Sequence, residues 1–288
     1  MFFFLNEQKN FIISKKKKMF TKSVTRIGVK ETNVLDLKYP YGVCYDENNQ
    51  QIILCDTWNK RLCFLQYKHD NNTYECKSIL PNFNFCSSVC IQPSTQYSMV
   101  SEFTPGIIKV FTPSFELLYT IQDSLYSPKG INCDKQNRLY VADTGNHQWK
   151  IYDEQGRLLH KCSTYKQSPL YLPNYVSIND TYKTIHVSDD MNQRVLIYCQ
   201  KTYKPITSIL VHDICYSICM FDNDHYIIIG SQTGLHVYDT RTYKLVQSLN
   251  RTNDSILKCA DVIGLCEDTS THNLVTVEHN NSSIHVIH

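Results

Sequence analysis

The sequence contains no Cys-x-x-Cys pair, although it has 13 cysteines among its 288 residues. Their number is odd and most stand alone in apolar stretches, so neither paired zinc knuckles nor a disulfide framework is indicated. The two close pairs, Cys86/Cys90 and Cys215/Cys219, each lack a second pair that would complete a tetrahedral site. We therefore expect no metal, and we interpret the cysteines as small buried side chains of a protein from a reducing compartment.

The sequence also lacks an apolar run long enough to cross a membrane. Its net charge is only +2, which excludes a globally basic nucleic-acid binder but permits a basic patch on one face. At the N-terminus the apolar residues precede the run Lys15–Lys18, the reverse of the order in a secretory signal. These absences predict a cytoplasmic protein without membrane contact, in which residues 1–21 form a disordered extension.

The chain contains an internal repeat. Segments beginning at Tyr39, Tyr126 and Tyr171 share one layout: a proline, an alternating apolar run, a polar turn, a β-rich run that ends in Asp, and an Asp-x-x-Asn loop. An acid marks this loop in five repeats, and Ser231 replaces it in the remaining one, at intervals of about 40–50 residues. The acids are Asp56, Glu102, Asp143, Asp189 and Glu278.

Each repeat divides into four short runs of strand-forming residues separated by turn residues. In the third repeat the predicted strands are Gly130–Cys133, Leu139–Ala142, Trp149–Tyr152 and Leu158–Cys162. Four strands per unit at this period are typical of β-propeller blades, and one blade cannot bury both of its faces alone. The sequence therefore predicts an all-β fold, a six-bladed β-propeller with four-stranded antiparallel blades, over residues 22–288.

The ends of the chain predict how the ring closes. The sixth repeat stops after its third strand, so its outermost strand must come from another part of the chain. The segment Lys22–Gly28 resembles the fourth strands of other repeats and precedes the first strand of repeat one. We predict that it pairs beside residues 284–288 and completes the last blade.

The loops resemble those of NHL repeats, whose pattern is Asp-x-x-Asn-x-Arg. The residues that carry the resemblance are Asp56, Asn59, Arg61, Asp143, Asn146, Asp189, Asn192 and Arg194. The order of the repeats is similar to the C-terminal propeller of TRIM-NHL proteins, including the Brat-like translational repressors. We interpret the acids as structural, accepting backbone N–H bonds and pairing with Arg while Asn adopts left-handed geometry, because blades spread around a ring cannot share one active site.

Candidate ligand-binding residues start the innermost strand of each repeat, beside the predicted channel. These positions hold Tyr41, Ser88, Lys129, Asn174, Tyr216 and Asp261. The resemblance to RNA-binding NHL domains implies pockets for unstacked bases in this neighbourhood. Lys129 suits a phosphate and Asn174 a base edge, and Tyr41 or Tyr216 offers a stacking face.

Charge at these positions is mixed. Asp261 would repel a phosphate, whereas Lys38 and Lys166 would extend a basic surface if they share a face with Lys129.

Catalysis is not expected. None of the six strand-start positions is His, which argues against the metal-dependent lyases among NHL-like propellers, and only Asp261 would suit the calcium-dependent propeller hydrolases. No Ser-His-Asp or Cys-His arrangement stands in a recognisable context. We therefore expect a monomer that is not an enzyme and has no cofactor. A WD40 propeller is the runner-up architecture, because Leu235–Leu249 is similar to the last strands of a WD40 blade.

Two functions remain open at this point. The first is binding of single-stranded RNA on the channel face for post-transcriptional regulation. The second is protein recognition, with the propeller as the substrate-recognition part of a ubiquitin-ligase assembly. Both are implied by the family resemblance, and the chain itself has no zinc knuckles for a RING domain.

Overall fold

The computed structural model describes residues 24–27, 36–68, 73–250 and 260–287. Apart from two short 3-10 turns, Thr144–Asn146 and Asp190–Asn192, its regular elements are β-strands. The strands are β1 (Val24–Ile27), β2 (Val43–Asp46), β3 (Gln51–Asp56), β4 (Arg61–Lys68), β5 (Thr73–Leu80), β6 (Cys86–Ile91), β7 (Ser98–Glu102), β8 (Ile107–Phe111), β9 (Leu117–Ile121), β10 (Pro128–Cys133), β11 (Leu139–Asp143), β12 (Gln148–Tyr152), β13 (Leu158–Cys162), β14 (Thr164–Tyr165), β15 (Ser168–Pro169), β16 (Pro173–Asn179), β17 (Thr184–Asp189), β18 (Arg194–Cys199), β19 (Pro205–Leu210), β20 (Cys215–Phe221), β21 (Tyr226–Ser231), β22 (Gly234–Asp239), β23 (Leu245–Asn250), β24 (Val262–Asp268), β25 (Asn273–Glu278) and β26 (Ser283–Ile287).

Six four-stranded antiparallel sheets form the blades of a closed ring. Blades 1 to 5 are β2–β5, β6–β9, β10–β13, β16–β19 and β20–β23, and blade 6 has the order β1-β26-β25-β24. The innermost strands β2, β6, β10, β16, β20 and β24 each contact the next, and β24 contacts β2 again. The protein is therefore a six-bladed β-propeller, as the repeat predicts.

The last blade takes its outermost strand from the start of the described chain. Strand β1 pairs antiparallel with β26, from Val24 opposite Ile287 to Ile27 opposite Ile284. This confirms the predicted pairing for residues Val24–Ile27 of the Lys22–Gly28 segment, whose other residues lie outside the described ones. The predicted extension, residues 1–21, lies outside the described residues.

The hydrophobic cores lie between blades rather than within them. Six buried clusters occupy the six interfaces between neighbouring blades, for example Ile53 with Val89 and Val100 between blades 1 and 2. Because each blade buries its faces only against its neighbours, the closed ring is the unit of stability. Cys55, Cys86 and most other described cysteines lie in these cores or beside the channel, and those in the described part of the chain are free thiols.

The antiparallel order of the strands gives the ring two different faces. We call the side that carries the starts of the innermost strands and the loops between second and third strands the upper face. The lower face carries the loops between first and second strands. In the described residues no helix has the length and hydropathy needed to span a membrane.

A candidate binding surface on the upper face of the ring

In five of the six blades, the loop acid ties the blade to the segment that leads into it. In blade 1 the backbone N–H of Lys38 donates to Asp56 Oδ1 at 2.8 Å. The other oxygen, Asp56 Oδ2, accepts from Asn59 Nδ2 at 2.8 Å and from Arg61 Nε at 2.6 Å. Each Arg pairs with the acid of its own blade. The equivalent contacts elsewhere are Tyr126 N–H, Asn146 and Gln148 to Asp143, and Tyr171 N–H, Asn192 and Arg194 to Asp189.

The left-handed residue of this loop is the one after Asn, not Asn itself. Lys60, His147 and Gln193 have φ values of 55°, 53° and 52°. The expectation that Asn takes this conformation is therefore wrong. The reason is that its side chain is held by the buried acid while its backbone completes a helical turn, so the reversal falls on the next residue.

Fully buried carboxylates hold these loops against the blades. Asp56, Asp143 and Asp189 have no exposed surface, and their oxygens accept bonds from donors on two segments. In blade 6, burial raises the pKa of Glu278, but the bonds from His285, Asn281 and the Ala260 amide outweigh burial and hold it at about 2. The loops therefore present a fixed surface above the blades.

The predicted ligand-binding residues do lie around the upper mouth of the channel, but they differ in accessibility. Lys129 Nζ lies 5.7 Å from the centre of the Tyr41 ring, and Tyr41, Lys129 and Tyr216 are half-buried. Asn174 is only 2% exposed, and its Nδ2 donates to Asp190 Oδ2 at 3.0 Å. The amide of Asn174 therefore positions a neighbouring carboxylate.

Asp190 is the least expected group at this mouth. It is 7% exposed, and its Oδ1 has no hydrogen-bond partner. Burial raises its pKa to about 6, although Lys129 and Asn174 favour the charged form; Asp189 and Asp213 add to the rise. The mouth therefore combines a cation with a carboxyl group that changes charge just below neutral pH.

A row of aromatic rings runs outward from the channel mouth across blades 6, 1 and 2. The centre of the His279 ring lies 5.2 Å from that of Tyr41 and 5.0 Å from that of Tyr39. Tyr39 is 5.1 Å from Trp58, and Trp58 is 6.1 Å from Phe85. Trp58 is 58% exposed and Tyr39 42% exposed. We call these five residues the aromatic row.

Lysines border the aromatic row. Lys60 Nζ lies 5.1 Å from the centre of the Phe85 ring, at the opposite end from Lys129. Lys38 precedes Tyr39, and Lys166 lies in the β14–β15 turn before blade 4. These positions place Lys38, Lys129 and Lys166 on the upper face, as the basic-surface hypothesis requires.

Sequence reasoning missed most of the aromatic row. It selected only Tyr41, because it considered one position per blade, whereas the row is assembled from three blades. Trp58 could have been noticed as a large apolar side chain inside the Asp56–Asn59 loop, where polar residues are usual. Nothing in the local pattern marks His279 or Phe85.

The opposite mouth of the channel has a different lining. A cavity of about 610 Å³ opens to the lower face. Its wall includes four cysteines from innermost strands: Cys44, Cys90, Cys219 and Cys266. Its rim carries four carboxylates: Glu47, Asp180, Asp224 and Glu267. Among the described residues, no three His, Cys, Asp or Glu side chains are grouped so that they could hold a metal ion.

Comparison with known proteins adds no relative. No protein-family model matches the sequence, and a search of curated proteins finds no match. The fold defines the class, a six-bladed β-propeller, and the NHL resemblance rests on the loop residues quoted above.

Proposed function

We propose that this propeller is a non-catalytic scaffold that binds single-stranded RNA on its upper face. The aromatic row is the observation that carries this proposal. Rings 5.0–6.1 Å apart, two of them well exposed, offer faces on which unstacked bases can lie. Lys129 at one end and Lys60 at the other are placed to contact the phosphates.

The setting supports a role in post-transcriptional regulation in the cytoplasm. The NHL-like loops are similar to those of propellers that regulate messenger RNA, and the free thiols of the described chain suit a reducing compartment. The upper face needs no metal or cofactor for stacking and phosphate contact.

Tryptophan fluorescence tests the proposal without a label. The chain has two tryptophans, of which Trp149 is fully buried and Trp58 is exposed in the aromatic row. Titration with short single-stranded RNA at low salt should quench the Trp58 emission and leave that of Trp149. The Trp58→Ala variant should bind RNA about tenfold more weakly, as expected for the loss of one base–ring stack.

The Trp58→Phe variant is the matched control for this titration. It keeps an aromatic face and should retain affinity, measured by anisotropy of labelled RNA, while losing the quenching signal. Unchanged emission of the wild type, together with no RNA affinity at low salt, overturns the proposal.

Protein recognition is the second candidate, and the rim of the ring favours it. Outermost strands expose pairs of aliphatic side chains: Leu117 and Leu118, Leu158 and Leu159, Leu245 and Val246. Apolar side chains repeated along strand edges suit a protein partner. Within this candidate, the propeller is the substrate-recognition part of a ubiquitin-ligase assembly. Capture of RING-containing proteins in an affinity purification would support it, and their absence counts against it.

A further inference from the structure

A hairpin that is not part of the repeat lies between blades 3 and 4. Strands β14 and β15 pair through Thr164 opposite Pro169, and Lys166 and Gln167 form the turn with φ values of 46° and 69°. Leu170 N–H donates to the Ser163 carbonyl at 2.9 Å and closes its base. Among the described connections between blades, no other carries such a hairpin.

The hairpin forms one wall of a cavity on the upper face, which we call the hairpin pocket. Its volume is about 470 Å³, within the size range of small-molecule sites. The opposite walls come from the Asp-x-x-Asn loops of blades 3 and 4. The residues that line the pocket include Asn146, His147, Tyr171 and Asn192.

Two rings stack in the hairpin pocket. The centres of His147 and Tyr171 are 5.0 Å apart, with an angle of 15° between the ring planes. Leu172 N–H donates to His147 Nδ1 at 3.1 Å, so in the neutral ring the proton is on Nε2. Tyr171 remains 49% exposed. The pair therefore offers a fixed flat surface and one donor.

The two Asn side chains are locked in one orientation. Asn146 Nδ2 donates to Asp143 at 2.9 Å and to the Ser124 carbonyl at 2.9 Å. Asn192 Nδ2 donates to Asp189 at 2.9 Å and to the Pro169 carbonyl at 3.3 Å. Because all four partners are acceptors only, each amide must turn its NH₂ group inward.

The consequence is a pair of fixed acceptors. Both Asn side chains are exposed, and no partner for either Oδ1 is present among the described residues. A ligand that stacks on Tyr171 in this pocket therefore meets carbonyl oxygens, which select donors.

We propose that the hairpin pocket binds a single flipped-out nucleobase that carries an exocyclic amino group. This inference rests on the proposed function and names a specificity site for it. The base lies on the Tyr171 ring and its amino group donates to Asn146 or Asn192 Oδ1. Uracil carries the carbonyl oxygen O4 where cytosine carries its amino group, so an acceptor faces the Asn oxygen at this point and uracil is disfavoured.

Binding of oligoadenylate and oligouridylate, measured by anisotropy at equal salt, tests the inference. The wild type should prefer oligoadenylate by about tenfold, the size of one well-made base contact. Tyr171→Ala should remove this preference by weakening oligoadenylate binding about tenfold while changing oligouridylate binding less than about twofold. Tyr126→Ala is the matched control, because Tyr126 is exposed on the same face but does not line the pocket.

The outcomes separate the two proposals. RNA that quenches Trp58 without a base preference, or with a preference that survives in Tyr171→Ala, overturns the hairpin pocket and leaves the RNA scaffold standing. Absence of any RNA binding overturns both. Independently of folding effects, RNA containing azidoadenine should photolabel Tyr171 or His147 in the wild type, and labelling confined to other residues contradicts the site.

Discussion

The upper and lower faces of the ring come from loops of the same repeats, yet they use their side chains differently. On the lower face, carboxylates bond the neighbouring blade: Lys135 N–H donates to Asp180 at 3.3 Å, and Thr181 N–H donates to Asp224 at 3.1 Å. On the upper face, the loop acids turn into their own blade and are buried.

The polar groups of the lower face help to hold neighbouring blades together, whereas the loops of the upper face present exposed side chains. On the lower face some polar groups form hydrogen bonds between blades, and four carboxylates line the rim of the channel. On the upper face the loop acids are hidden under the loops, which leaves rings such as Trp58 and lysines such as Lys60 at the surface, with Asp190 as a carboxyl group at the channel mouth. We therefore expect the upper face to favour a partner that carries phosphates and flat groups more strongly than the lower mouth does.

The largest expected effect compares the two kinds of acid within blade 4. Asp189→Ala should lower the free energy of unfolding by about 3–5 kcal/mol, because it removes a fully buried carboxylate and leaves the partly buried donors of Arg194 and the Tyr171 amide without this partner. Asp180→Ala removes one exposed bond to a backbone amide and a 3.8 Å ion pair with Lys183, and it should cost about 1 kcal/mol. Denaturant unfolding of both variants measures the difference, and equal costs would contradict the comparison.

The next effect concerns charge on the two faces. Lys129→Glu should weaken RNA binding at least about tenfold and flatten its dependence on salt, since a phosphate contact is replaced by repulsion. Lys135→Glu, at the lower mouth, should leave affinity within about twofold, because the proposed RNA site lies on the opposite face and salt screens charges that far apart. Anisotropy across a salt series provides the test. A larger loss of affinity in Lys135→Glu than in Lys129→Glu would indicate binding on the lower face and contradict the proposal.

The smallest expected effect is a dependence of RNA affinity on pH, caused by Asp190 at the upper mouth. Because the pKa of Asp190 is raised from 3.8 to about 6, its charge disappears as pH falls through about 6 and no longer opposes phosphate near Lys129. RNA affinity should rise a few-fold over this interval, by about 0.5–1 kcal/mol. In Asp190→Asn the rise should vanish, and a rise that persists in this variant assigns the titration to another group.

The raised pKa of Asp190 also determines whether this residue stabilises or destabilises the folded protein at a given pH. A carboxyl group whose pKa is raised by folding stabilises the folded state fully only below its unfolded pKa of 3.8, and this contribution is lost as pH rises through about 6. Asp190→Asn should therefore be more stable than the wild type at neutral pH, provided that the Asn174 contact is kept. Thermal unfolding at two pH values checks this sign.

Much of the fold followed from local patterns. The alternation of apolar residues predicted the strands of blade 3, with the innermost strand beginning at Pro128 rather than Gly130 and the third at Gln148 rather than Trp149. The loop acids gave the repeat and hence the number of blades. The hairpin of β14 and β15 was not predicted, because two-residue strands leave no periodicity to detect.

The binding surface was only partly predictable. Tyr41, Lys129 and Tyr216 could be chosen because each lies within two residues of the start of an innermost strand, but the same rule chose Asn174, whose amide donates to Asp190. Whether a side chain at such a position is exposed depends on the neighbouring blade, which periodicity does not describe.

The sequence by itself determined the six-fold repeat and the closure of the ring, because strand patterns and turn residues recur locally in the six units and the buried loop acid recurs in five of them. Only the tertiary structure determined which side chains come together on the upper face. Tyr39, Trp58, Phe85 and His279 come from three blades, and they form one aromatic row because the closed ring brings the ends of distant strands to one mouth. Contacts between residues far apart in the chain depend on the geometry of the ring, and no local pattern encodes them.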